Sequence, residues 1–235
     1  MKRLLLSVAA LAVCASLAVA ADAPKSTVSA TTPAKPATAK VADAALQQIG
    51  KFIATAKIDK KSPSWKTTLP KPPVAKFDAA HKYYARMLTN KGEMLIEFMP
   101  RVAPMHVTSF IYLAKLGFYD GLRFHRVIRN FMAQGGDPLG TGGGSPGYQM
   151  NGEFSPSVKH DQPGRLSTAN AGPGTDGSQF FLTFVPYPSL DGKYTIYGQV
   201  VEGMDVLKKL EAAGANGDGP PTEPLNIVKV TIEVK

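Results

Sequence analysis

The sequence predicts a mainly β domain, a barrel of short strands with helical caps, carried behind a basic leader. Three observations predict it. Apolar runs of strand length recur between Gly- and Pro-rich loops, two segments of the same stretch have helical spacing, and there is no internal repeat. The 235 residues include 22 Gly and 19 Pro, yet 44% are hydrophobic, enough for one sizeable core and short of two full domains.

Residues 1–20 read as a secretory signal peptide: Lys2 and Arg3, an apolar run from residue 4 to 17, then Ala18-Val19-Ala20 as a small-residue cleavage site. Cleavage near Ala20 predicts a periplasmic or secreted protein. The run is too short for a span and no other stretch stays apolar for 18 residues, so the mature chain is expected to have no stable membrane insertion. The single cysteine, Cys14, lies inside the signal, which leaves the mature fold without a disulfide or a cysteine metal site. Val13 before it fits a lipoprotein signal poorly, so lipid anchoring through Cys14 is not expected.

Residues 21–42 form an Ala/Pro/Thr/Lys linker that cannot bury enough surface to order itself. Residues 43–76 predict a short helix plus a proline-rich extension. Asp43 stands where a cap is needed, Leu46, Ile49, Phe52, Ile53 and Ala56 recur at helical spacing, and SPSWKTTLPKPP follows with the only tryptophan, Trp65. This piece either packs on the main domain or meets a partner. The formal charge of +9 belongs to the leader: residues 21–76 carry ten Lys and three acids, whereas residues 77–235 carry fifteen of each sign. A neutral main domain argues against nucleic acid as a partner.

The main domain spans residues 77–235. Residues 82–88 and 93–98 are strand-like around Asn90-Lys91-Gly92, a hairpin connection. Pro104 starts a helix with Val107, Phe110, Ile111 and Ala114 on one face, and Gly117 closes it. Strand-like runs follow at 124–128, 131–134, 165–169, 179–184 and 197–201. A second helix covers 205–212 with Val206, Leu207 and Leu210 inward, and a last strand alternates Val228, Val230, Ile232 and Val234 with polar residues.

His81, His106, His125 and His160 have no metal-ligand spacing, so no metal is expected. Gly143-Gly144-Ser145-Pro146-Gly147 matches G-x-S-x-G in letters, but its Gly and Pro flanks provide neither the strand nor the helix that a nucleophile elbow needs. The informative segments are FHRVIRNFMAQGGD, residues 124–137, and GRLSTANAGPGTDGSQFFLTF, residues 164–184. Each mixes large apolar residues with a few uncharged hydrogen-bonding groups. Arg126 is the oddity. Among apolar neighbours it must snorkel or face a cleft, and alternation from Phe124 would put it on one face with Phe124 and Ile128.

These two segments resemble the signature blocks of the cyclophilin family of peptidyl-prolyl cis/trans isomerases, and the similarity runs over about residues 83–235, including Gly140, Leu190-Asp191-Gly192-Lys193 and Gly198. The resemblance implies a closed eight-stranded antiparallel β-barrel capped by two α-helices, an active groove on its outside, and rotation about Xaa-Pro bonds without any cofactor. It implies Arg126 as the catalytic residue, Phe131, Met132, Phe181 and Leu190 as the proline pocket, and Gln134, Ala169, Asn170 and Ala171 as the groups that hold an extended substrate. Gln179 and Gly140 match the rim of the groove. Tyr194 stands where the family often has His, and Ser189 where the eukaryotic pattern has Trp. Those two departures, with the short link before Phe124, point to a bacterial exported branch that binds cyclosporin weakly. The expected partners are proline-containing segments of exported proteins, met by a monomer.

Overall fold

The computed structural model describes residues 43–235; the signal and linker expected at residues 1–42 lie outside the described residues. Helix α1, Ala44–Thr55, begins where Asp43 accepts the Leu46 N–H at 2.9 Å, a side-chain cap that satisfies one orphan donor. Its buried face carries Ala45 and Ile49. Strands β1, Tyr83–Thr89, and β2, Gly92–Phe98, form the expected hairpin with Thr89 opposite Gly92. Gly92 has φ +129, and a Cβ there would meet a Val206 methyl at 2.7 Å, so turn geometry and helix packing both require glycine.

Helix α2, Pro104–Lys115, opens with proline as predicted, but the structure buries every residue from Met105 to Ala114 rather than one face. Phe110 packs inward on the rings of Phe98, Tyr119, Phe180 and Tyr197. The opposite side is covered by the extension, where Phe52 meets Tyr112 at 5.5 Å and Trp65 meets Phe118 at 6.3 Å. Residues 43–76 therefore pack on the domain, with Ala45, Ile49, Leu69 and Ala75 inside its contiguous apolar core. Full burial of a side chain such as Ile49 contributes about 1.5–3 kcal/mol. Two lysines of the extension add polar staples: Lys60 Nζ donates to the Leu116 carbonyl at 2.7 Å, at the end of α2 where a cation is favoured, and Lys66 Nζ to Asp120 O at 3.3 Å.

The remaining elements are β3 Arg126–Ile128, β4 Met132–Gly135, β5 Arg165–Thr168, β6 Phe180–Thr183, β7 Ile196–Glu202, α3 Met204–Ala212 and β8 Ile227–Val234. α3 turns Val206, Leu207 and Leu210 inward. All eight strands pair antiparallel in the order β3-β4-β6-β5-β7-β2-β1-β8. The expected closure of the barrel does not occur: the curled sheet stays open, with β3 and β8 as its edges. The physical reason is that β3 is already partnered. Ala215 N–H donates to Val127 O, while Arg129 and Val127 N–H donate to Ala215 O and Gly219 O. Contact across the seam is left to residues 121–124 and 225–227, including the bridge between Arg123 and Asn226.

A second correction concerns β8, where Val228 is 49% exposed although alternation placed it inward. The register against β1 shifts between Leu88 and Thr89, so Ile227 takes the inward place opposite Thr89 and Val228 is bulged outward. Among the described residues no helix is long and apolar enough to cross a membrane.

Candidate functional site

Strand register builds the site. Arg126 lies opposite Gln134, Gln134 opposite Phe181, and Phe181 opposite Ser167, so one row of side chains crosses β3, β4, β6 and β5 on a single face. The neighbouring row of Val127, Ala133, Leu182 and Leu166 faces the core and is fully buried. Ile128 shares the face of Arg126 as expected, but Phe124 does not. The strand begins only at Arg126, and Phe124 turns inward against Phe180 at 6.1 Å.

On the outer face Met132, Phe181 and Leu190 form a small apolar cluster, with Phe131, Ala169, Tyr194 and Ile128 packed against it. Phe181 is held between the edge of Tyr194 at 5.7 Å and the stacked ring of His160 at 6.0 Å. The Arg126 guanidinium stands beside this cluster, its Cζ 5.9 Å from the Phe131 ring centre, with the side chain 34% exposed. Its Nε donates to Asp218 Oδ1 at 2.5 Å and its Nη1 to Gln134 Oε1 at 3.3 Å. The Arg126 guanidinium beside Asp218 holds that carboxyl below its ordinary range.

From Gln134 the polar line continues. Its Nε2 donates to Gln179 Oε1 at 3.0 Å, and Gln179 Nε2 donates to the carbonyls of Gly142 and Gly144 at 2.8 and 2.9 Å. On the other flank, Asn170 Nδ2 donates to Asp176 Oδ1 at 2.9 Å and to Lys193 O at 3.2 Å. Fixing that side chain leaves the main-chain N–H and C=O of Asn170 without a protein partner among the described residues, open to an extended peptide. Ala171 N–H donates to Thr175 Oγ1. Gly140 is not brought into the groove: it sits beside Arg123 and the 220–226 loop. Ser145 lies in a loop, its hydroxyl directed at Tyr148 O, with neither strand before it nor helix after it.

Several supporting groups had no sequence signal. Asp218 is 92 residues from Arg126, and no spacing rule connects them. His160 lies beneath Phe181: its Nδ1 faces Asp191 Oδ1 at 2.9 Å and its Nε2 faces Ser167 Oγ at 2.8 Å. A carboxylate only accepts, so Nδ1 carries the proton and Nε2 accepts the Ser167 hydroxyl. Burial lowers the pKa of this ring even against the pull of Asp191. His106 is the contrasting case. Its two nitrogens face Glu153 at 2.6 Å and Asp176 at 2.8 Å, so both must donate, and although burial opposes the charge these bonds raise its pKa. Glu153 also accepts the Met105 and His106 N–H groups, capping α2 from a distant loop. Among the described residues no group of His, Cys, Asp and Glu is arranged to hold a metal ion.

Known proteins resemble this chain in sequence and in fold. The family model for cyclophilin-type peptidyl-prolyl cis-trans isomerases matches residues 84–232. Peptidyl-prolyl cis-trans isomerase-like 1 of Gibberella zeae is 45% identical over 147 residues, 61% of this chain and 91% of that protein. Peptidyl-prolyl cis-trans isomerase A of Mycobacterium tuberculosis is 41% identical, over 63% of this chain and 91% of its own length. The crystal structure of a Cryptosporidium parvum cyclophilin-type isomerase superposes with a TM-score of 0.62 at 34% identity, covering 65% of this chain and 98% of that one. A second crystal structure of the same protein, in the presence of the dipeptide Ala-Pro, has a TM-score of 0.61 at 35% identity, over 64% of this chain and 98% of that one.

Proposed function

The chain belongs to the cyclophilin-type peptidyl-prolyl cis-trans isomerase family and catalyses rotation about Xaa-Pro bonds, and we propose that Arg126 stabilises the twisting amide. The proline ring is held by Phe131, Met132, Phe181 and Leu190, with Tyr194 closing the pocket behind Phe181. One observation carries this reading: a partly exposed guanidinium, held on one side by Asp218 and Gln134, stands beside the small apolar cluster of Met132, Phe181 and Leu190. Its Nη2 has no hydrogen-bond partner among the described residues and is free to meet substrate.

Rotation of the peptide bond meets a barrier of about 18–20 kcal/mol because partial double-bond character is lost. As the amide twists, the prolyl nitrogen becomes pyramidal and gains a lone pair. A fixed cationic donor aimed there is more stabilising in the twisted state than in the planar one, which is the condition for catalysis. No covalent bond breaks, so the groove needs only donors, shape and a dry pocket. Gln134 and the free main chain of Asn170 hold one flank of the peptide while the other turns.

The substrates we propose are proline-containing segments of exported proteins, whose folding the isomerase assists in the periplasm or outside the cell. The signal-like residues 1–20 and the absence of cysteine from the mature chain support that placement, as Ser189 and Tyr194 support the bacterial exported branch. Isomerisation of a short Xaa-Pro peptide, followed by NMR exchange, tests the site: Arg126→Ala is expected to lower kcat/KM by about a hundredfold or more. Equal rates for wild type and Arg126→Ala would refute the assignment.

A further inference from the structure

The extension outside the family match makes main-chain contact with a loop that carries part of the groove. Residues 67–71 precede the matched segment 84–232. Leu69, 3% exposed, donates its N–H to Pro146 O at 2.9 Å, and Lys71 Nζ donates to Gln149 O at 3.0 Å. Between these bonds the chains touch backbone to backbone. Gly147 has φ +104, and a Cβ there would lie 2.7 Å from Leu69 N and 2.9 Å from Thr67 O. Pro146, which accepts the Leu69 bond, lies beside Gly177, where an added Cβ would come within 3.2 Å of its ring, two residues before Gln179.

The loop so held continues back through Gly144 and Gly142, whose carbonyls are the acceptors that fix Gln179 Nε2. At its far end it is tied by Asp137, which is buried and accepts N–H bonds from Leu139, Thr141 and Gly142. An unbroken path of contacts therefore runs from the extension through the loop to Gln179, Gln134 and Arg126.

We propose that residues 67–71 are a positioning element for the groove: by clamping the 145–149 loop they hold the Gly142 and Gly144 carbonyls, and with them the orientation of Gln179, Gln134 and Arg126. The proposal rests on the reading of Arg126 and Gln134 as groove residues. A loop freed at Pro146 lets Gln179 turn away from its two carbonyls, and Gln134 loses the acceptor that sets its amide. Misplacement of catalytic groups by an ångström is enough to slow an enzyme severely.

The test uses the full chain and two readouts, kcat/KM on an Xaa-Pro peptide and the Gln179 side-chain amide resonance in heteronuclear NMR. Leu69→Pro deletes the N–H to Pro146, and Lys71→Met deletes the bond to Gln149. Each is expected to lower kcat/KM by about three- to tenfold and to shift the Gln179 resonance. Lys60→Met, which removes a staple to α2 remote from the loop, is expected to change neither. If Leu69→Pro fails to fold, Lys71→Met decides. Folded variants with the wild-type rate overturn the proposal, and so does a slower variant whose Gln179 resonance has not moved. Arg126→Ala, measured alongside, separates the two readings: if it is slow while the loop variants are normal, the clamp alone fails, and if it equals wild type, the groove assignment fails.

Discussion

Arg126 Nε and Asp218 Oδ1 are joined at 2.5 Å across 92 residues of sequence, which ties the edge strand β3 to the loop that shields it. Asp218 is 75% exposed, and solvent screening leaves an exposed pair of this kind little to add to stability. Its value is orientational. Asp218→Asn is expected to leave the melting temperature nearly unchanged and to lower kcat/KM by about two- to fivefold. An unchanged rate would mean that Gln134 alone aims the guanidinium.

Arg126→Lys keeps a positive charge but not the planar fork that reaches Asp218, Gln134 and substrate together. We expect it to lose nearly as much activity as Arg126→Ala, about a hundredfold. A lysine variant at near wild-type kcat would show that charge alone suffices.

The His106 ion pairs make stability depend on pH. Glu153 and Asp176 face His106 from two loops, and Tyr197 packs on its ring at 5.8 Å. The His106 pKa is raised by folding, so its contribution is fully present below the ordinary histidine range and is lost as pH rises through the folded value. Glu153 is held below its ordinary range: burial opposes this, but its bonds from His106 and from main-chain N–H groups outweigh it. Its contribution is present above the ordinary carboxylate range and is lost as pH falls through the folded value. His106→Gln is expected to destabilise by about 3 kcal/mol, because it takes the cationic partner from the buried Asp176 and leaves it only the neutral donors Asn170 and Thr195, and to flatten the alkaline side of the stability profile. Unfolding curves across pH measure both, and an unchanged alkaline slope would contradict the assignment of charge.

Ser189 is exposed within the tight turn that ends at Leu190 of the pocket. Ser189→Trp supplies an indole donor at the rim, and it is expected to raise cyclosporin affinity by about tenfold, the scale of one net hydrogen bond. Calorimetric titration of both proteins checks this, and equal affinities would show that the residue at position 189 does not set the affinity.

The strands were legible because their periodicity is local. The 82–88 and 93–98 runs around Asn90-Lys91-Gly92 became β1 and β2 within a residue or so, and Val206, Leu207 and Leu210 pointed inward as their spacing required. Arg126 stood out for a chemical reason, since a lone cation among apolar residues needs a task. Phe124 and Val228 were misread because alternation assumes an uninterrupted strand. One precedes the strand, and the other is displaced by a bulge.

Residue types and their spacing determined the mainly β architecture, and the resemblance of the two blocks named the candidate groove residues from Arg126 to Tyr194, of which Gly140 lies apart from the others. Tertiary structure alone decided that the sheet stays open, because a loop occupies the free edge of β3. It also decided which partners orient the groove. Asp218 on Arg126, His160 under Phe181 and Leu69 against Pro146 are contacts between segments far apart in the chain, and only the folded register brings their donors and acceptors within bonding distance.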